Sequence, residues 1–143
     1  QHGQLPSSFA VFDGEPQCRM LTICLLEKGW PFRFIRRWAA SKFFPWKGKF
    51  FSSLSQETGK GINRIRFLGL RKWFPFNTHI AKSAIDGNPC IVLDYENPHN
   101  PKFIRLIHDE LREISPGLFL GPAMLKNRSN TPRLLLYFAC DMR

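Results

Sequence analysis

From Phe44 onward apolar and polar side chains alternate with a period of two, the rhythm of strands that bury one face. Phe44, Trp46, Gly48 and Phe50 fall on one side of the first run, with Lys47 and Lys49 on the other. Residues 56–61 (QETGKG) read as a loop. The alternation resumes at 62–68, with Asn63, Ile65 and Phe67 opposite Arg64 and Arg66. Residues 76–85 form the next predicted strand, which Asp86-Gly87 and Asn88-Pro89 turn back. The run 90–95 (CIVLDY) is apolar on both faces until Asp94, as in a central strand. Residues 97–101 (NPHNP) make a two-proline loop, and 103–114 carries both periods at once. We expect a helical turn there first, then a strand from about His108 to the Pro116-Gly117 turn. Two clear strands, 118–125 and 133–140, close the sequence around a polar loop at 126–132.

The front third is patterned differently. Residues 1–16 are rich in Gly, Pro and Ser and read as an arm, with Phe9, Val11 and Phe12 as anchors. The apolar run 18–27 fits a helical turn or a first strand equally well, and Gly29-Trp30-Pro31 breaks it. In 34–42, Phe34 and Ile35 both stand at helical spacing from Trp38, which predicts a short amphipathic helix. The expected fold is therefore mainly β. An antiparallel meander over 44–143 closes into a small barrel, and 1–43 forms an N-terminal arm and short helix that serve as a docking extension. Closure would hide the edges that so many Phe and Leu residues would make prone to aggregation.

Several local pieces follow one another along the chain: Phe44-Pro45-Trp46-Lys47-Gly48-Lys49-Phe50, Gly61-Ile62-Asn63-Arg64, Ser83 with Asp86-Gly87, and Leu93-Asp94-Tyr95. Asn100-Pro101, Asp109-Glu110-Leu111-Arg112-Glu113 and Pro116-Gly117-Leu118-Phe119-Leu120-Gly121 follow. In that order the chain resembles small uncharacterised proteins related to the GXWXG type, which look like calycin, or lipocalin-like, barrels. The resemblance runs from about Phe44 to Asp141 and leaves the front third aside. It implies a barrel able to hold a hydrophobic ligand and carries over no catalytic mechanism.

Composition sharpens this picture at two points. Fourteen Phe and four Trp in 143 residues exceed what a core of this size needs, which suggests a lined pocket or a buried contact surface. The net charge of +10 is uneven, with twelve Lys and Arg between Lys28 and Lys72 opposed by Glu57 alone. A basic, aromatic stretch of this kind suits an acidic membrane surface or a larger protein complex. Single-stranded nucleic acid is the weaker alternative, since no recognition-module signature is present. No run reaches the roughly 18 apolar residues of a spanning helix. A first residue that is Gln, not Met, is what removal of a targeting peptide would leave, and import into an organelle such as the plastid is the matching expectation.

The candidate chemistry follows from the strand faces. Trp46, Lys49, Asn63, Arg64, Tyr95, Arg112 and Tyr137 form the candidate ligand set, its aromatics lining a pocket. Its cationic and amide groups, Lys49, Asn63, Arg64 and Arg112, would orient an anionic head. The ligand classes this admits are a lipid, an isoprenoid or a pigment. Should the barrel be an enzyme, a cofactor-free isomerase or cyclase, then Asp94, Tyr95, Asp109 and Arg112 are the groups able to move protons. An acid–Arg pair that fixes strand register is the structural alternative. In a strand His108, Glu110 and Arg112 share one face, and Asp109 and Glu113 share the other. The four His residues are scattered without metal-ligand spacing, and nucleotide or hydrolase motifs are absent, so no metal or cofactor is expected. Cys18, Cys24, Cys90 and Cys140 show no regular spacing. Cys90 and Cys140, inside apolar strands, read as buried free thiols.

Overall fold

The computed structural model describes residues 3–6, 11, 13–23, 46–66 and 68–143. Eight strands make one antiparallel sheet: β1 (Gln17–Ile23), β2 (Trp46–Ser53), β3 (Thr58–Arg66), β4 (Leu70–Lys82), β5 (Pro89–Asp94), β6 (Ile107–Ser115), β7 (Leu118–Lys126) and β8 (Pro132–Asp141). From β2 to β8 each strand pairs with the next, and β1 pairs with the far side of β8, giving the order β1-β8-β7-β6-β5-β4-β3-β2. The two sheet edges then meet. Gly14 and Phe51 exchange backbone hydrogen bonds of 3.1 and 3.0 Å, and Ser53 donates to the Asp13 carboxylate through both its N–H and its hydroxyl. The result is a nearly closed barrel, the architecture that the alternation predicts.

Several boundaries differ from the sequence reading. The predicted division at 43/44 leaves β1 outside the barrel, whereas the sheet starts at Gln17. Of the two readings of 18–27, the described part is strand. Residues 58–61, expected in a loop, lie in β3, where glycine makes room for the side chains paired with it on β4, Thr78 beside Gly59 and Phe76 beside Gly61. A Cβ on Gly61 would run into the Phe76 ring. The strand expected at 76–85 starts earlier, at Leu70. The 3₁₀ turn Ile104–Leu106 leading into β6 matches the expected helical turn followed by a strand. The predicted helix at 34–42 lies outside the described residues. The arm is anchored: Gln4 and Glu113 exchange backbone hydrogen bonds of 2.9 Å, and Leu5 and Val11 pack against the core.

The interior is filled mainly by aromatic and aliphatic side chains. Phe51, Phe76, Tyr95, Phe119 and Phe138 join Ile91, Leu93 and Leu111 in one buried cluster. Phe51 stands edge-on to Phe76 at 5.4 Å between centroids, and Trp46 edge-on to Phe138 at 6.0 Å. Cys18 and Cys140, directly opposite each other on β1 and β8, form a disulfide within this cluster. Cys140 is thus not the free thiol its apolar strand suggests. Antiparallel pairing brings a cysteine 122 positions away to face it, a relation that spacing alone does not reveal. Cys90 is a buried free thiol, as read, and burial pushes it up to about 12.

A bulge decides which side chains β2 turns inward. The register slips between Trp46 and Gly48, where Gly48 adopts φ of 122°, a conformation that suits glycine and few others. A one-residue slip exchanges the two faces of every residue beyond it. Lys49, expected outside, is therefore inside at 2% exposure, while Phe50, expected inside, faces outward beneath the Lys72 ammonium at 4.5 Å.

Candidate functional site

Beyond the β2 bulge, Lys49 meets side chains from β3, the end of β5, and β6. Its ammonium donates to Asn63 Oδ1 at 3.0 Å, to Asp109 Oδ2 at 3.1 Å and to the Tyr95 hydroxyl. All three ammonium protons are thereby placed. Tyr95 donates its own proton to Asp109 Oδ2 at 3.1 Å and accepts from Asn63 Nδ2 at 3.2 Å. Trp46 Nε1 completes the network by donating to Asn63 Oδ1 at 3.0 Å.

A second bulge positions the Asn63 end. The β3–β4 register slips at Ile62/Asn63, with Phe74 as the unpaired residue at φ of 60°. Its carbonyl accepts from Asn63 Nδ2 at 3.3 Å. Two irregularities in neighbouring hairpins thus aim Lys49 and Asn63 at one point, the use to which bulges beside functional sites are commonly put.

The surroundings are apolar. Four rings, those of Trp46, Phe76, Tyr95 and Phe138, stand 5.1 to 5.4 Å from the Lys49 nitrogen. The faces of Trp46, Phe76 and Phe138 offset part of the cost of removing the cation from water, while Tyr95 meets it edge-on through its hydroxyl. Burial still pushes the ammonium below its ordinary pKa, with the Asp109 charge and hydrogen bond pulling it back. Burial, together with the same carboxylate, drives the Tyr95 phenol well above its ordinary value, so it stays a donor at neutral pH. One atom is left over: Asp109 Oδ1 is buried without a hydrogen-bond partner. An unpartnered carboxylate oxygen in such a place is costly, and it presents an acceptor to anything that reaches it.

The sequence-predicted candidates divide among three places. Trp46, Lys49, Asn63 and Tyr95 from the ligand set, with Tyr95 and Asp109 from the catalytic set, converge in the interior cluster. Arg112 faces outward, as its strand register with Glu110 requires, and holds Asp86 through two hydrogen bonds of 2.6 Å. That pair ties the β4–β5 turn to β6, the register-fixing role weighed as the structural alternative. Asp94 also lies on the outer face, beside His108, where it accepts from the Glu96 N–H. Arg64 pairs with Glu15 at 3.2 Å on the outside. An anionic head would therefore find Lys49 alone of the three predicted cations at the cluster, with its protons already donated.

Tyr137 and Arg112 instead line an outer-face pocket of about 220 Å³, together with Ser83, Cys90 and Glu110. Glu110, read from the sequence as sharing a face with His108 and Arg112 but not placed among the candidate catalytic or ligand residues, is only 2% exposed here. Its carboxylate accepts from the Ser83 hydroxyl, from the Ala84 N–H at 2.7 Å and from His108 Nε2 at 3.1 Å. Since a carboxylate only accepts, that contact places a proton on His108 Nε2. The face shared by His108, Glu110 and Arg112 was legible. The folding of the 83–85 turn over Glu110 was not.

Burial alone would push the Glu110 pKa up, but the bonds from His108, Ser83 and Ala84 outweigh it and hold the carboxyl below its ordinary value. A carboxyl depressed in the folded state adds stability above its unfolded pKa and loses it as pH falls through the folded one. Glu110→Gln is expected to cost about 1–3 kcal/mol at pH 7. The gap from the parent protein should narrow once pH drops below about 4.3, the ordinary glutamate value. Urea unfolding across pH 3–7 measures both; a gap independent of pH would remove Glu110 as the titrating group.

Among the described residues no three His, Cys, Asp or Glu side chains converge as metal ligands, and no helix is long and apolar enough to cross a membrane. Compared with protein-family models, curated proteins and solved structures, the chain matches none of them.

Proposed function

We propose that the protein is a non-enzymatic binding barrel of the lipocalin-like kind, a carrier or accessory subunit that holds a lipid, isoprenoid or pigment. The observation that carries this reading is a polar cluster, set among aromatic rings, in which the buried Asp109 Oδ1 has no partner. Ligand sites of this class combine an apolar lining with a few fixed polar groups that orient one end of the molecule. Because the Lys49 protons are already donated, the head group that fits is a hydrogen-bond donor, such as a hydroxyl or an amide N–H, and not a carboxylate. The order of motifs that resembles the GXWXG-type proteins runs through the same strands and supports the same reading. The Cys18–Cys140 bridge suits a chain that folds in an oxidising compartment, which agrees with delivery out of the cytosol.

The test is displacement of a fluorescent fatty-alcohol probe from protein extracted with organic solvent and refolded. A long-chain alcohol should compete at least tenfold better than the fatty acid of equal length, and Asp109→Asn should reduce that preference. No probe binding, together with no molecule released from gently purified protein by native mass spectrometry, would overturn the carrier reading.

A further inference from the structure

The turns of an antiparallel meander fall alternately at its two ends, and here the ends differ in charge. Among the described residues, the turns 54–57, 83–88 and 116–117 with the two strand residues on either side carry Glu57 and Asp86 against Lys82. At the opposite end 68–69, 95–106 and 127–131, counted with the same flanking residues, carry Arg66, Arg71, Lys102, Arg105, Lys126, Arg128 and Arg133 against Asp94 and Glu96. Among the described residues the ion pairs take Lys72, to Glu15 at 3.8 Å, and leave Arg66 and Arg71 unpaired.

The same end exposes its apolar residues. The last pairing of β4 with β5 is Asn77 with Asp94, so Leu70–Phe76 runs on for about 23 Å at 3.3 Å per residue with no β5 neighbour. The four successive residues 70–73 are all exposed. At its tip Leu68 is 85% exposed and Leu70 53%, with Trp73 at 41% one turn of the ribbon behind. Phe103, 67% exposed, stands in the neighbouring loop, which Asn100 ties to β4 by donating to the Pro75 carbonyl at 2.7 Å. Leu68 also occupies the left-handed region, φ 48°, where a leucine is disfavoured and Gly or Asn would be at ease. Neither burial nor backbone preference accounts for an apolar side chain there.

We propose that this end of the barrel docks on an anionic lipid bilayer. The Leu68–Leu70 tip enters the headgroup layer, Trp73 sits at its boundary, and Arg66, Arg71 and Lys102 lie against the lipid phosphates. Aliphatic tips with a tryptophan behind them and a basic collar are the combination that interfacial binding uses. Nucleic acid fits less well, since the most exposed side chains, two leucines, offer no stacking face. The proposal stands whether or not the interior holds a ligand.

Vesicle co-sedimentation of the intact chain tests it, with phosphatidylcholine alone and with phosphatidylcholine containing 30% phosphatidylglycerol. Binding is expected on the anionic vesicles, with a blue shift of tryptophan emission that Trp73→Phe diminishes. Leu68→Ser/Leu70→Ser, at exposed positions where the fold should tolerate them, and Arg66→Glu/Arg71→Glu should each weaken binding at least tenfold. Absence of binding to anionic vesicles overturns the proposal. So does binding that the Leu68/Leu70 variant leaves unchanged, or a preference for single-stranded oligonucleotide over vesicles at equal salt.

Discussion

Lys49→Ala is expected to lower the unfolding free energy by about 3–5 kcal/mol, the range for removing one partner of a buried ion pair. Asp109, 3% exposed, would lose its cation, and Tyr95 and Asn63 would each lose a donor in a place water does not easily reach. Urea denaturation at neutral pH measures the loss. The paired change Lys49→Met with Asp109→Leu is the informative companion, since replacing a whole buried ion pair with apolar groups of similar volume is often neutral or stabilising. A double variant as stable as the parent would mean that the cluster is not kept for stability. If that variant also lost the fatty-alcohol probe, the binding role would remain as the reason for the cluster. A single Lys49→Ala variant that lost less than about 1 kcal/mol would place the ammonium in water and undo the description of the interior.

Replacing both Cys18 and Cys140 by Ala is expected to cost about 2–5 kcal/mol. The bridge closes a span of 122 residues, for which the loss of unfolded-chain entropy alone reaches roughly 5 kcal/mol. It also fixes to β8 the strand that borders the least-paired seam of the wall, the one between β1 and β2. On its other side β1 meets β2 through the Gly14–Phe51 bridge and through close packing, where a Cβ on Gly48 would stand 2.7 Å from the Pro16 carbonyl oxygen. Without the disulfide, β1 depends on its backbone pairing to β8. Midpoints of urea unfolding for the parent, the reduced parent and the double variant give the comparison. Reduced parent and double variant should agree within about 1 kcal/mol, and a midpoint untouched by reduction would place the two cysteines apart.

The two predictions rest on different kinds of legibility. The strands were readable because each buries one face along its own length. The alternation expected over 62–68 reappears in β3 as far as Arg66, with Asn63 inward, and the apolar run at 90–95 reappears as β5 with Tyr95 directly after it. The Pro116-Gly117 turn and the ambiguity at 103–114 also resolve as their local chemistry implied. Tyr95 and Asp109 stood among the four candidate proton-moving groups, and the fold brings these two together because Tyr95 directly follows β5 and Asp109 lies on the inward face of β6.

The rest depended on where strands meet. Lys49 reads as solvent-facing until the Gly48 bulge reverses the faces of β2, and a period-two pattern contains no mark of a one-residue slip apart from the glycine itself. Arg112 and Asp109 look like partners three positions apart, but strand parity sends them to opposite faces and the β4–β5 turn supplies Asp86 instead. The Cys18–Cys140 pairing and the covering of Glu110 arise from contacts between distant segments. By itself the sequence determined the strands, the turns and the surplus of aromatic surface, because these are set by neighbours in the chain. Tertiary structure alone decided which charges are buried, which cysteines pair and which end of the barrel carries the exposed leucines, because those depend on register and closure.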